Sequence, residues 1–280
     1  MSRRFDYNWT LKDAHFTKDK GKVFSCFACG GGSTMGYKLA GFDVIGCNEI
    51  DNRMMSIYKA NHNPRYTFLE PIQEFKQRES YPDELYNLDI LDGSPPCSAF
   101  SMAGSREGAW GVEKKFREGQ AKQVLDTLFF DFIEVAQRLQ PKVVIAENVK
   151  GLLLGEAKKY VQRIYAEFDR AGYVCQHFLL DAQRMGVPQR RERVFFICLR
   201  KDLVEQVPKT QTLFDTLPLL KLNFEERPIL FGEVADYNGR EILAPKTRLL
   251  WDNHIETDKL LSDVAIRVFN KKTYFNFVFF

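Results

Sequence analysis

Val23-Phe24-Ser25-Cys26-Phe27-Ala28-Cys29-Gly30-Gly31-Gly32-Ser33 is an apolar run that breaks into glycines. Six mostly apolar residues of this kind suit a buried strand, and the glycines after them suit a tight turn. A helix is expected to follow, with Ser33 or Thr34 as its cap, and Gly41 closes it. Phe42 to Cys47 is a second short apolar strand, and it ends at Asn48-Glu49-Ile50-Asp51. Strand, glycine turn, helix, strand, acid is the pattern of nucleoside-binding α/β folds. The glycines let a ligand approach the backbone, and the acid at the second strand's end can accept both ribose hydroxyls. Their order is not G-x-G-x-x-G, which disfavours a dinucleotide. A mononucleoside such as S-adenosylmethionine needs no phosphate cradle and fits the same acid.

Outward from this unit, strands and helices alternate. Residues 51–60 suit a helix, and 61–86, with Pro64, Pro71 and Pro82, suit irregular chain. Residues 87–92 form the next strand and lead into Asp92-Gly93-Ser94-Pro95-Pro96-Cys97. The prolines stiffen that loop. A thiol on a stiff loop at a strand end suits a positioned nucleophile, and a buried structural cysteine is the alternative. Met102 to Lys122 is long, charged and punctuated by four glycines. Beside a candidate nucleophile it reads as a mobile lid, and otherwise as a surface loop. Leu125, Leu128, Phe129, Phe132, Ile133, Ala136 and Leu139 recur at helical spacing, which predicts a helix over 123–139. The strand Val143–Ala146 delivers Glu147-Asn148-Val149, a helix covers 156–171, and Val174–Leu180 is a strand. After the Gly186-Val187-Pro188 turn, Gln189-Arg190-Arg191-Glu192-Arg193 enters a final strand, Val194–Leu199.

This alternation predicts an α/β fold: a mixed, mostly parallel sheet with helices on both faces. Gly31, Glu49, Cys97 and Glu147 all fall just past expected strand ends, the edge where open α/β sheets bind ligands. At 280 residues the chain is expected to hold an arm over 1–21, a catalytic domain over 22–203 and a smaller region over 204–280. A net charge of +3 permits nucleic-acid binding without requiring it. Six cysteines in a chain this long do not make a disulfide scaffold and suit a reducing compartment. Cys26 and Cys29 form a C-x-x-C, but no second pair completes a metal site, and His15, His62, His177 and His254 are scattered, so no metal is expected. No signal peptide and no membrane-length apolar run is visible.

In order and spacing, residues 22–199 resemble the DNA cytosine-C5 methyltransferase family. Phe27-Ala28-Cys29-Gly30-Gly31-Gly32 resembles its F-x-G-x-G-G cofactor turn, and Glu49 its ribose-binding acid. Pro96-Cys97 matches the nucleophile motif, Leu128-Phe129 the helix after the mobile loop, Glu147-Asn148-Val149 the E-N-V motif, and Gln189-x-Arg191-x-Arg193 the Q-x-R-x-R motif. There are departures. Cys29 and Ser94 replace usual glycines, Ser98 replaces a usual glutamine, and Pro71 stands where an adenine-binding carboxylate is usual.

The resemblance implies the Rossmann-like fold of methyltransferases that use S-adenosylmethionine, and methylation of cytosine C5 in duplex DNA, as in restriction–modification. It implies Cys97 as nucleophile, Glu147 as the acid at N3, Arg193 at the base carbonyl, and Arg191 at a phosphate or the closed loop. Cofactor contacts are implied for Phe27, Ala28, Cys29, Gly31, Gly32, Glu49, Ile50, Ile72, Ser94, Pro96 and Leu128. DNA contacts are implied for Ser98, Ser101, Arg106, Arg184, Arg190 and Arg191, against the plainer reading of the arginines as a solvated face. Base flipping would bring the cytosine to these groups. The setting expected is the cytoplasm of a bacterium or a phage-infected cell. Two further motifs of the family find no match after Leu199, so 204–280 reads as a partial target-recognition region. A split or truncated member is expected, with room for a second polypeptide as partner. Three rivals remain: a tRNA cytosine-C5 methyltransferase, a non-catalytic DNA-binding or regulatory subunit of a split enzyme, and, least favoured, a nicotinamide dehydrogenase.

Overall fold

The computed structural model describes residues 14–96, 113–114, 123–124, 127–154, 157–204, 220–234, 245–258 and 261–270. The chain divides into two compact units, Met1–Phe231 and Gly232–Phe280. The first begins with the expected strand-helix-strand: β1 (Lys22–Cys26), α1 (Gly32–Leu39) and β2 (Asp43–Glu49). Then come α2 (Asn52–His62), β3 (Tyr66–Leu69), α3 (Ile72–Phe75) and β4 (Ile90–Gly93). A two-residue antiparallel pair follows, β5 (Glu113–Lys114) with β6 (Gln123–Val124). α4 (Leu128–Leu139), β7 (Val143–Val149), α5 (Ala157–Arg170), β8 (Tyr173–Asp181), β9 (Glu192–Arg200) and the short α6 (Lys201–Val204) complete it.

Seven strands form one sheet in the order β3-β2-β1-β4-β7-β9-β8. The first five run parallel, and β9 lies antiparallel to both β7 and β8. This is the expected mixed, mostly parallel sheet. Because side chains alternate across a strand, each strand feeds two cores. Phe24, Cys26, Leu91, Val144 and Ala146 join Phe129, Phe132, Ile164 and Phe168 of α4 and α5 in one cluster. Val23, Val44 and Ile90 gather on the other side with Tyr37 of α1, and Cys47 packs with Met55 and Tyr58 of α2. Helices therefore cover both faces, as a parallel sheet requires.

Several local expectations are corrected. Residues 61–86 are not wholly irregular: they hold β3, α3 and a 3-10 turn at Asp83–Asn87. The helix expected over 123–139 starts at Leu128, because Gln123 and Val124 pair with β5. α1 is capped by neither Ser33 nor Thr34; its N-cap is Gly31, left-handed at φ 90°, with no side-chain cap. Cys175 and Cys198 oppose each other directly across β8 and β9.

Part of the expected arm and part of the expected C-terminal region are tied to this unit. Lys20 N–H donates to the Gly41 carbonyl at 3.0 Å. Leu220 N–H donates to Gln176 Oε1 at 2.9 Å and Glu226 N–H to the Arg184 carbonyl at 3.1 Å. The second unit contains α8 (Pro245–Asp252) and α9 (Leu261–Phe269), the short α7 (Phe231–Val234) lying at the boundary. There the buried Asp258 pairs with Arg267 of α9 at 2.5 Å. Among the described residues no helix is long and apolar enough to cross a membrane.

Gly93 shows how closely the sheet meets α4. A Cβ on Gly93 would stand 2.5 Å from Cε2 of Phe132, a ring with no exposed surface. Gly93→Ala is therefore expected to destabilise the fold by about 1–3 kcal/mol through overpacking. Urea unfolding would show this as a lower midpoint at unchanged m-value; an unchanged midpoint would contradict the close approach.

Candidate active site

The parallel strands end on one edge of the sheet, and the polar residues gather there. β1 runs into a turn in which Phe27, Cys29 and Gly31 are all left-handed, at φ 53°, 47° and 90°. Gly31 also has the ring of His62 where a Cβ would go, so both backbone and space demand glycine. The Cys29 side chain is exposed. Its N–H donates to Glu49 Oε2 at 2.8 Å. The other oxygen, Oε1, accepts from the N–H groups of Ile50 and Asp51, both at 2.9 Å. Three backbone donors thus pin the buried Glu49 carboxylate against the glycine turn. Beside it, Asn48 Nδ2 donates to the carbonyls of Phe68 and Glu70, which fastens the end of β3.

Two strands from β1, β7 carries Glu147 and Asn148. Asn148 is buried, and its Nδ2 donates to the Pro95 carbonyl at 3.2 Å. This bond ties the Glu147-Asn148-Val149 stretch to the Ser94-Pro95-Pro96 loop. β9 enters the same edge from the opposite direction, with Arg193 paired to Val149. Arg193 Nε meets Glu147 Oε1 at 2.9 Å, and both side chains are about one-quarter exposed (25% and 27%). Burial raises the Glu147 carboxyl above the ordinary glutamate value of 4.5, while Arg193 and Arg191 pull it back. Arg193 Nη1 also donates to the Glu192 carbonyl at 2.8 Å, which holds the guanidinium in place.

The sequence-expected residues divide accordingly. Phe27, Ala28, Cys29, Gly31, Gly32, Glu49 and Ile50 share the β1–β2 end of the edge. Glu147, Arg193, Ser94 and Pro96 lie at the β4–β7–β9 end. Ile72 and Leu128 are buried in the main core, at 3% and 0% exposure. Arg184, Arg190 and Arg191 are exposed beside β8 and β9. Cys97, Ser98, Ser101 and Arg106, and the expected lid apart from β5, lie outside the described residues.

Two residues carry roles that the sequence reading did not assign. Asn148 is the tie to Pro95. Asp92, buried at the end of β4, accepts hydrogen bonds from Ser25, Ser33 and Tyr37. The signal for Asp92 was an acid directly after Ile90-Leu91 in a strand otherwise fit for burial.

Removing Arg193 takes away a charge that favours the ionised form of Glu147. Arg193→Ala should therefore move the Glu147 carboxyl further up, read from its side-chain NMR titration; a fall or no movement would contradict the pair. The sign for stability follows from linkage. A carboxyl raised in the folded state contributes its stability fully below the unfolded value, and loses it as pH rises through the folded one.

The model of the C-5 cytosine-specific DNA methylase family matches residues 21–270. The Type II methyltransferase M.NgoPII of Neisseria gonorrhoeae is 35% identical over 196 residues, which are 69% of this chain and 53% of that protein. M.FnuDI of Fusobacterium nucleatum is 36% identical over 182 residues, 65% of this chain and 48% of that protein. The chain spans about half the length of these curated relatives. A DNA modification methyltransferase encoded within a prophage (E. coli) shares the fold at TM-score 0.53 and 21% identity, covering 76% of this chain and 53% of that one. A mutant of Spodoptera frugiperda DNMT2 shares it at TM-score 0.55 and 20% identity, covering 82% and 64%. Edge geometry, ordered motifs and family match agree: the chain belongs to the C-5 cytosine-specific DNA methylase family.

Proposed function

We propose that this chain methylates C5 of a cytosine flipped out of duplex DNA, using S-adenosylmethionine, in the cytoplasm of a bacterium or a phage-infected cell. The observation that carries the reading is the bond from Asn148 to Pro95, which brings Glu147 and its partner Arg193 to the loop leading into Cys97.

The glycine turn fits the cofactor. A Cβ on Gly32 would meet nothing within 4 Å, so there is room against the backbone. Glu49 Oε2 takes one backbone donor where Oε1 takes two, which leaves capacity for a ribose hydroxyl. Phe27, Cys29, Gly31, Gly32, Glu49 and Ile50 would hold the nucleoside. Ile72 and Leu128 would support it from the core beneath. S-adenosylmethionine, when bound, supplies an activated methyl group.

The chain's own residues address the target. C5 of cytosine is a poor nucleophile. The Cys97 thiolate adds to C6, its proton having gone to solvent, and a C–S bond forms. The electron pair of the C5=C6 bond becomes available at C5 as Glu147 delivers a proton to N3. The raised Glu147 carboxyl suits that task, and Arg193 is placed to balance charge at the carboxylate and the base carbonyl. Once C5 carries the methyl group, its proton leaves to water. The C6–S bond then breaks to free Cys97, and the N3 proton returns to Glu147. Arg184, Arg190 and Arg191 offer phosphate contacts, whose strength should fall with salt.

Expression in a methylation-null bacterium followed by bisulfite sequencing tests the reading. Methylated cytosines in one sequence context, lost with Cys97→Ala, are the expected result. Methylation that survives Cys97→Ala, or DNA left unmethylated by soluble chain even when the neighbouring reading frame is co-expressed, would contradict it.

A further inference from the structure

Asp92 lies at the end of β4, five positions before Cys97, and only 5% of it is exposed. Ser25 Oγ donates to its Oδ2 at 2.8 Å, Ser33 Oγ donates to the same Oδ2 at 2.7 Å, and Tyr37 OH donates to Oδ1 at 3.2 Å. Ser25 belongs to β1 and Ser33 to the first turn of α1. These two serines bracket the glycine turn, so one carboxylate oxygen staples both of its ends. Within the bracket stand the three left-handed residues Phe27, Cys29 and Gly31.

A buried carboxylate carries a desolvation cost, and its strand neighbours Ile90 and Leu91 show that this strand otherwise takes apolar residues. Ser33 is a natural helix cap, yet α1 has no side-chain cap, and the Ser33 hydroxyl turns to Asp92 instead. Tyr37, one turn further along α1, points to the same carboxylate. Three hydroxyls from two elements converge on one acid of a third element.

We propose that Asp92 is a positioning residue that presets the glycine turn for S-adenosylmethionine and fixes it to the strand leading into Cys97. The inference rests on the cofactor reading of that turn. A turn held at both ends loses little freedom when a ligand binds. A turn released at Ser33 must be ordered at the moment of binding, and affinity falls without loss of any direct ligand contact.

Calorimetric titration of the full chain with S-adenosylhomocysteine tests this, with melting temperatures measured alongside. Ser33→Ala should weaken binding about tenfold, the loss of one charge-assisted hydrogen bond. Its melting temperature should fall by about 3–10 °C, because the unliganded fold loses the same bond, with cooperative folding retained. Ser33→Thr, which keeps the hydroxyl, should restore binding to within about twofold of the parent. Asp92→Asn should lose at least as much affinity as Ser33→Ala; should it fail to fold, the Ser33 pair still decides. Parent-like binding by Ser33→Ala, or a threonine variant no better than the alanine one, would overturn the role of Asp92 alone. No binding by the parent chain would overturn the cofactor reading and this inference together.

Discussion

The register between β1 and β4 is the constraint on which the site depends. Phe24 pairs with Leu91, Ser25 with Asp92 and Cys26 with Gly93. Side chains alternate along a strand, so a slip of one residue would exchange the two faces. Leu91 would leave the core shared with α4 and α5, and Asp92 would enter it unpaired. Gly93, which makes room for the Phe132 ring, would no longer lie beneath it. In the observed register the apolar side chains seal one face, and Asp92 meets the hydroxyls of Ser25, Ser33 and Tyr37 on the other. The pairing that builds the core also builds the polar network behind the glycine turn.

From that centre the functional groups are placed by backbone geometry more than by one another. Glu49 is held by two N–H groups just past its own strand and one from the turn after β1, and Asn148 reaches across to the carbonyl of Pro95. Arg193 arrives on the one antiparallel strand of the sheet. That reversal lets a strand's first residues, rather than its last, reach the same edge. It brings the arginine to Glu147 without a loop between them. The carboxyl is then set by two opposing effects, burial raising it and the guanidinium lowering it.

Much of this was legible in the sequence, for physical reasons that also mark where legibility ended. Val143–Ala146 and Val194–Leu199 are continuous apolar runs, and strands buried on both faces must be so. β3 leaves little trace in the sequence because Tyr66-Thr67-Phe68-Leu69 is short, only partly buried and flanked by Pro64 and Pro71. The apolar spacing before α4 runs back to Leu125 and extends the expected helix, while Gln123 and Val124 take part in a strand pair. Ser33 and Thr34 have the chemistry of a cap for α1 but take other partners: Ser33 bonds Asp92, and Thr34 bonds Tyr58 at 2.8 Å. Glu49, Glu147 and Arg193 could be named from motifs. The convergence on Asp92 joins residues 55 to 67 positions apart, and no local pattern announces it.

The central claim is that Cys97, delivered by the loop tied to Glu147's strand, forms a bond to C6 of a cytosine. Duplex DNA carrying 5-fluorocytosine tests it most directly. Fluorine at C5 leaves no proton to remove after methyl transfer, so the C6–S bond cannot break and the adduct accumulates. Incubation with S-adenosylmethionine, proteolysis and mass spectrometry should then find a nucleotide on the peptide that contains Cys97. An adduct on another residue, or methyl transfer with no protein–DNA adduct, would contradict the account.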